Sequence, residues 1–281
     1  MANERERAYW NAGTGERWVR HQAALDQSFG EITRLLLDRA APAPGERVLD
    51  IGCGSGETTL LAARRVGPAD SATGIDISEL LLALARRRAA DAGLANVRHV
   101  AADAESHAFE PHAADLAMSR FGVMFFNGPV AAFANLRRAL RRAGRLAFVC
   151  WGPLEANPWF GRPLEIGVRH LGEPEPLPPR APGPLAFGEP EYVRGILAAA
   201  GFGDIEIREE HPVLAGLTSA EEEATLAMAL GPTSRLIALR KPDQATLAAI
   251  AAEIAAAFRP SLTGAGIRTP CTVYVATARA P

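Results

Sequence analysis

Lysine is almost missing from this 281-residue chain: Lys241 is the sole one among 30 Lys and Arg residues. A phosphate-binding Gly-x-x-x-x-Gly-Lys-Ser/Thr loop is thereby excluded, and lysine Schiff-base chemistry has no second candidate. Cysteine is scarce too. Cys53, Cys150 and Cys271 lie far apart, with no Cys-x-x-Cys pair and no clustered histidines, so neither a structural zinc site nor a disulfide framework is expected. No metal is expected elsewhere. No apolar run reaches the ~18 residues of a membrane span; Leu80–Ala85 is soon ended by Arg86, Arg87 and Arg88. A basic excess is absent as well, because 32 Asp and Glu offset the 30 cations and leave a net charge of −2. Bulk nucleic-acid binding needs the opposite balance. Residues 1–7 are charged and lead into no apolar stretch, so no signal peptide is expected. The expectation is a cytoplasmic protein with no membrane and no nucleic-acid partner, with a homodimer left open.

What is present is a core. The chain is 48% hydrophobic, enough for one large domain. Residues 1–41 read as a helical cap, broken at Asn11–Gly15 and carrying Tyr9, Trp10 and Trp18, with a further helix from Glu31 to Ala40 that stops at Pro42 and Pro44. Residues 42–152 alternate. Short apolar strands at 47–51, 72–76, 96–101, 114–119 and 145–151 are separated by helices at 60–66, 79–91 and 130–142. Strands apolar on both faces, alternating with helices, predict a parallel sheet covered on both sides. The rhythm breaks over residues 153–190, where Pro174, Pro176, Pro178, Pro179, Pro182 and Pro184 suggest an irregular lid insertion. Residues 191–281 resume with a helix at 191–200, strands at 205–209 and 272–277, and a helical insertion at about 215–260. All of this reads as a single domain.

The strongest feature is Val48-Leu49-Asp50-Ile51-Gly52-Cys53-Gly54-Ser55-Gly56, where the first strand turns into a helix. Ligands of open α/β sheets bind outside the strand ends at such turns. Alternate glycines let the backbone approach a ligand closely, and the N–H groups that open the helix complement a negative group. A plain strand-to-helix turn that merely needs glycine is the bland alternative. Twenty residues beyond Gly56, Asp76 ends the second strand and is suited to accept both hydroxyls of a ribose. Asp103 follows the third strand and is suited to an adenine amino group. Each acid alone has an ordinary explanation, as a loop or helix-start residue. Three acids after three successive strands are more informative together.

The loop is not that of a dinucleotide site. Glu57 stands one place after Gly56, so the third glycine of Gly-x-Gly-x-x-Gly comes one place too early, and an anionic side chain suits a pyrophosphate poorly. No Gly-x-Ser-x-Gly is present. The pattern favours an adenosine ligand that carries an amino acid.

At these residues the sequence resembles the class I S-adenosylmethionine-dependent methyltransferases. Asp50 to Gly56 with Asp76 and Asp103 carry the general likeness. Trp10-Asn11 through Trp18-Val19, Ser119-Arg120-Phe121-Gly122-Val123-Met124-Phe125-Phe126 and Asn157-Pro158-Trp159-Phe160 resemble a bacterial small-molecule group close to the ubiquinone-biosynthesis methyltransferases. The resemblance implies a Rossmann-like seven-stranded, mostly parallel α/β sheet with helices on both faces and an antiparallel last strand, plus an N-terminal helical cover and lid insertions. It implies S-adenosylmethionine as methyl donor and S-adenosylhomocysteine as product. By the same likeness Asp50 and the Gly52 and Gly54 backbone hold the methionine end, with Cys53 and Gly56 in the same loop. Asp76 binds the ribose, Ile77 lies against the adenine, Asp103 and Ala104 meet the adenine edge, and Ser119 borders the methionine moiety. One departure is Arg142-Ala143-Gly144 where the family usually has Pro-Gly-Gly, a turn for which no chemical consequence is expected.

Methyl transfer from a sulfonium needs alignment and exclusion of water, and needs a base only if the acceptor must lose a proton. His21 is a candidate base on the N-terminal segment, although a surface histidine explains it as well; His170 in the lid has a similar standing. His99, His107 and His112 carry no expectation. Arg120 directly follows the fourth strand and is suited to a substrate carboxylate or enolate, or else to an internal ion pair. Trp10, Trp18, Phe121, Met124, Phe125 and Trp159, with Phe160, are expected to build an apolar pocket, though Phe and Met clusters are also ordinary core. Amine methylation of DNA or protein commonly uses Asn/Asp-Pro-Pro-aromatic after the fourth strand; Ser119-Arg120-Phe121-Gly122 departs from it. Arg86–Arg88 with Arg137, Arg138, Arg141 and Arg142 read as a solvated face. Competing readings are a nicotinamide-dependent oxidoreductase, a non-catalytic S-adenosylmethionine-binding module and an RNA methyltransferase.

Overall fold

A computed structural model describes residues 3–281, so the cap expected over residues 1–41 is seen from Asn3 onward. It consists of four short helices, α1 (Glu4–Trp10), α2 (Gly13–Arg20), α3 (Gln22–Ser28) and α4 (Gly30–Ala40). The break between α1 and α2 is tight: a Cβ on Gly15 would lie 2.1 Å from the Trp10 carbonyl oxygen. Helix α4 ends where Ala41 turns left-handed ahead of Pro42, which cannot continue a helix.

The alternating core follows as β1 (Val48–Ile51), α5 (Glu57–Val66), β2 (Ala72–Asp76), α6 (Glu79–Asp91), β3 (Val97–Ala101), β4 (Ala114–Arg120), α7 (Pro129–Ala139) and β5 (Leu140–Trp151). Local chemistry sets the boundaries. Ser78 caps α6 by accepting from the Leu81 N–H at 3.3 Å, and Pro129 opens α7, where its missing N–H costs nothing. Helix α7 stops at Ala139, three residues short of the expected 142, and residues 140–142 join β5 instead.

The second half holds α8 (Pro158–Leu171), α9 (Pro190–Ala199), β6 (Gly203–Glu210), β7 (Val213–Ala215), α10 (Ala220–Ala229), α11 (Gly231–Arg240), α12 (Gln244–Phe258), β8 (Leu262–Thr263), β9 (Gly266–Pro270) and β10 (Val273–Arg279). Two expectations are corrected here. Residues 153–190 are not irregular throughout, because 158–171 form α8; Pro158 sits at its first turn, where proline favours a helix. A small antiparallel sheet, β7-β9-β8, was not anticipated, since its strands are only two to five residues long.

The main sheet has the order β3-β2-β1-β4-β5-β10-β6. β1 to β5 pair in parallel, and β10 runs antiparallel to both β5 and β6. The chain steps outward from β1 to β2 and β3, then returns to β4 on the other side. That reversal leaves a crevice at the carboxyl ends of β1 and β4. Asp50 pairs in register with Gly74 of β2 and Met118 of β4, so it lies at the middle of the sheet. Leu116, Ala117, Met118, Phe133 and Phe148 are fully buried, and the rings of Phe133, Phe148 and Phe187 meet one another at 5.4–6.2 Å. Truncating such a ring typically costs about 3–5 kcal/mol, which fixes the strand ends as a rigid platform.

Candidate active site

The crevice opens into a cavity of about 1110 Å³. A site for one drug-sized ligand takes roughly 300–1000 Å³. Gly52, Gly54, Asp76, Ile77, Asp103 and Ala104 line one side. The loop between β1 and α5 is a backbone construction. Gly52, Gly54 and Gly56 have φ of 65°, 55° and 86°, a region that L side chains rarely enter. The turn closes through the Gly56 N–H to the Cys53 carbonyl at 2.9 Å, and a Cβ on Gly54 would meet nothing within 4 Å. Open space therefore faces the loop at Gly54. Cys53 and Gly56 do not line the cavity: a Cβ on Gly74 would lie 2.7 Å from the Cys53 sulfur, and one on Gly56 would crowd Ala85 and His99.

The three acids differ in their surroundings. Asp76 receives the Gly54 N–H on Oδ2 and the Ser78 N–H on Oδ1, both at 2.8 Å, which ties the glycine loop to the end of β2. An ionised carboxylate has about four lone-pair sites, so acceptor capacity remains on the cavity side. Burial raises its pKa, against the backbone N–H groups of Ser78, Gly54 and Ile77. Asp103 accepts the Glu105 N–H at 3.0 Å and the Asn3 amide at 3.4 Å. Asp50 lies beneath the loop, fully buried and outside the cavity wall. Its Oδ2 accepts from Thr58 and Thr59 at 2.7 and 2.6 Å, while Oδ1 has no hydrogen-bond partner among the described residues. Burial pushes its pKa up to about 6, against the threonine hydroxyls and the charge of Arg120.

The end of β4 closes onto that of β1. Ser119 donates to the Ile51 carbonyl at 2.7 Å and accepts the Gly122 N–H at 3.1 Å, so its hydroxyl is spent inside the turn and does not line the cavity. A Cβ on Gly52 would stand 2.6 Å from the Gly122 Cα, a contact only glycine permits. Between them Phe121 adopts φ 69°, strained for a bulky side chain. Its ring stacks on Trp151 at 4.2 Å and meets Phe29 edge-on at 5.4 Å, contacts that hold the strained residue in place. Arg120 enters the cavity from the same turn with its side chain only 12% exposed. It donates to the Thr33 hydroxyl at 2.6 Å, lies 3.7 Å from Asp26 and sits 5.4 Å from the Phe29 ring centre. Burial draws its pKa down, against Asp26, Glu57 and Asp50.

All six residues expected in the pocket, Trp10, Trp18, Phe121, Met124, Phe125 and Trp159, line this cavity. The N-terminal cover is clamped over the β2–α6 turn. Ser78 donates to the Trp10 carbonyl at 2.8 Å, and the Asn11 amide bridges the Ile77 carbonyl and the Glu79 N–H, both at 2.9 Å. Trp10 meets Trp18 at 5.6 Å and Phe125 at 5.2 Å. His21, in contrast, sits at the junction of α2 and α3 and is not part of the wall; burial and Arg20 lower its pKa. His170 pairs with Glu253 at 2.7 Å, also away from the wall.

Several wall residues escaped the sequence reading. Phe29, Trp151, Leu230 and the α11 side chains Arg235 and Leu239 line the cavity, together with residues between Pro174 and Ala186 of the segment read as a lid insertion. A buried carboxylate lies behind them. Glu223 of α10, fully buried, accepts the Trp159 indole N–H at 2.5 Å and the Leu217 N–H at 2.7 Å, and burial raises its pKa. Its place among Glu221, Glu222 and Glu223 looks like an ordinary acidic first turn of a helix. The arginine-rich face is corrected at two positions: Arg137 donates to the Ala200 carbonyl at 2.9 Å, and Arg88 reaches the glycine loop.

Residues 48–144 match the family model described as a methyltransferase domain. The chain is 32% identical over 262 residues to nocamycin O-methyltransferase of Saccharothrix syringae, covering 89% of this chain and 91% of that protein. It is 32% identical over 114 residues to the ubiquinone/menaquinone biosynthesis C-methyltransferase of Shewanella pealeana, which spans 40% of this chain and 45% of that one. Among solved structures, YcgJ of Bacillus subtilis superposes with a TM-score of 0.58 at 17% identity, over 89% of this chain and 98% of YcgJ, a likeness of fold.

Proposed function

The chain belongs to the class I S-adenosylmethionine-dependent methyltransferases, and on that premise we propose that its acceptor is a small, partly apolar or aromatic molecule presenting an ionised oxygen to Arg120. Transfer of a methyl group from S-adenosylmethionine to a small metabolite is the activity of the family group it joins. The donor supplies an electrophilic methyl on a sulfonium, and an acceptor lone pair takes that carbon as the carbon–sulfur bond breaks and its electron pair stays on sulfur.

The residues present fit the donor. Gly54 leaves open space in which a ligand can approach the loop backbone. Asp76 keeps acceptor capacity for ribose hydroxyls, and its charge opposes a 2′-phosphate. Ile77, Asp103 and Ala104 form the adenine edge of this reading, next along the same wall. Asp50, with an unpartnered oxygen beneath the loop, acts through its charge on the cationic methionine end. Cys53, Gly56 and Ser119 shape the turn. No base is required of His21, because an acceptor that is already ionised has no proton to lose.

One observation carries the acceptor assignment: the Arg120 guanidinium, only 12% exposed, held by the Thr33 hydroxyl at 2.6 Å and by Asp26 at 3.7 Å, enters the cavity beside Phe29, Phe121 and Trp151. Arginine pairs strongly with carboxylates and enolates in such surroundings. The relative from Saccharothrix syringae is named nocamycin O-methyltransferase, which supports oxygen as the accepting atom. The Trp10, Trp18 and Trp159 cover excludes water from the transfer. Action in a reducing cytoplasm belongs to the same proposal, supported by three buried, unpaired cysteines.

Incubation with methyl-labelled S-adenosylmethionine and a metabolite extract, followed by mass spectrometry, tests this reading. The labelled products are expected to come from precursors retained on an anion exchanger, and to lose that retention on methylation. Arg120→Met is expected to lower their formation about tenfold or more while S-adenosylhomocysteine still binds. Labelled products derived from amines, or an unchanged rate in the variant, would overturn the assignment.

A further inference from the structure

Three glycines in five residues make the β1–α5 loop permissive, and ordering it carries the largest backbone-entropy cost of any such segment. Something outside the loop must hold it. Asp76 holds it at Gly54, and a second side chain holds it at Ser55. Arg88, in the last turn of α6, donates from Nη1 to the Ser55 carbonyl at 2.9 Å and to the Ser55 hydroxyl at 3.3 Å. From Nη2 it reaches Glu57 at 2.5 Å and Asp26 at 2.7 Å. The Ser55 carbonyl and the Gly56 N–H share one rigid peptide plane, so anchoring the first orients the second. Gly56 in turn closes the loop on Cys53.

Asp26 extends the network. It stands on α3 in the N-terminal cover, and its second oxygen lies 3.7 Å from Arg120 in the cavity wall. Two guanidiniums and two carboxylates thus form one neutral cluster, with side chains 12–26% exposed. It joins the cover, the glycine loop and the acceptor-side cation. Shielded pairs of this kind are strongly coupled, and removing one member leaves its partners uncompensated.

We infer that Arg88 is a positioning residue for cofactor binding, holding the glycine loop in its receptive shape, and that Asp26 transmits the same hold to the cover. The inference rests on the methyltransferase reading of this cavity. Lysine at this position cannot serve the carbonyl and both carboxylates at once, because it lacks the planar fork.

The test is titration of the full-length protein with S-adenosylhomocysteine, alongside unfolding without ligand. Arg88→Met is expected to weaken binding on the order of tenfold or more, Asp26→Asn by less, and Arg88→Lys is expected to fall between wild type and Arg88→Met. The double variant Arg88→Met/Asp26→Asn is expected to lose less than the product of the single losses, since both act on one guanidinium. Arg145→Met is the control. It breaks a bidentate pair with Glu46, both bonds 2.7 Å, at the amino ends of the strands; it should lower stability and leave affinity within twofold. Arg88→Met and Arg88→Lys both binding within twofold of wild type would overturn the inference alone. A wild-type protein that binds no S-adenosylhomocysteine would overturn the methyltransferase reading beneath it.

Discussion

The two halves of the cavity are built from different materials. On the glycine-loop side the work is done by backbone N–H groups, turns and carboxylates at hydrogen-bond distance, such as Gly54 and Ser78 on Asp76. On the far side it is done by rings: Phe121 on Trp151, Trp151 against Phe160 at 4.9 Å, Phe160 against Trp159 at 5.1 Å. The first kind of wall tolerates few sequences, because each φ and each donor is specified. The second tolerates many, since apolar packing asks mainly for volume. On the proposed reading, a donor shared by a whole family sits at the first wall and an acceptor that varies among its members at the second.

Breaking the first wall should have the largest consequence. Asp76→Ala removes the acceptors proposed for the ribose and releases the Gly54 N–H, and S-adenosylhomocysteine affinity measured by calorimetry is expected to fall on the order of 100-fold. A value within twofold of wild type would contradict the ribose assignment.

Asp50 sharpens the contrast through pH. Its folded pKa of about 6 exceeds the ordinary 3.8, so the folded state holds a proton that the unfolded chain has released. Stability of the ligand-free protein is therefore lost as pH rises from about 4 through about 6, by up to about 3 kcal/mol from this group. Denaturant titrations across that range should show the loss in wild type and a flatter profile in Asp50→Asn. A parallel pair of profiles would remove the buried charge from the account.

The second wall is probed by Glu223→Gln. The amide keeps one acceptor but turns a donor toward the other N–H, at a cost of about 1–3 kcal/mol in urea unfolding. Because Trp159 belongs to the acceptor side, S-adenosylhomocysteine affinity should stay within twofold. A loss of cofactor affinity as large as that of Asp76→Ala would show the halves to be one.

The smallest effect lies away from both. Ala143 has φ 59° where the family usually has glycine. Ala143→Gly should relieve strain worth about 1 kcal/mol, partly offset by entropy, and raise the melting temperature slightly without touching ligand affinity. A lower melting temperature would mean that the alanine methyl contributes packing there.

Legibility in the sequence followed the same division. The inner strands β1, β4 and β5 could be read because they are apolar on both faces, and the glycine loop with Asp76 and Asp103 because turn chemistry is written in residue types. The reading failed where tertiary placement decides. Arg88 sits in a run of three arginines that looks solvated, yet one of the three reaches Ser55. Glu223 hides in an acidic helix start. Helix α8 was masked by the prolines around it, and β7, β8 and β9 are too short for alternation to show. Asp50, expected to hold the methionine end, lies beneath the glycine loop and outside the cavity wall, a depth that spacing along a strand does not reveal.

Amide hydrogen exchange with and without S-adenosylhomocysteine tests the two-wall account most directly. Protection is predicted at residues 52–56, 76–78 and 101–105, with residues 174–186 and 231–239 exchanging as they do without ligand. Protection of the latter two segments with the glycine loop unchanged would contradict it.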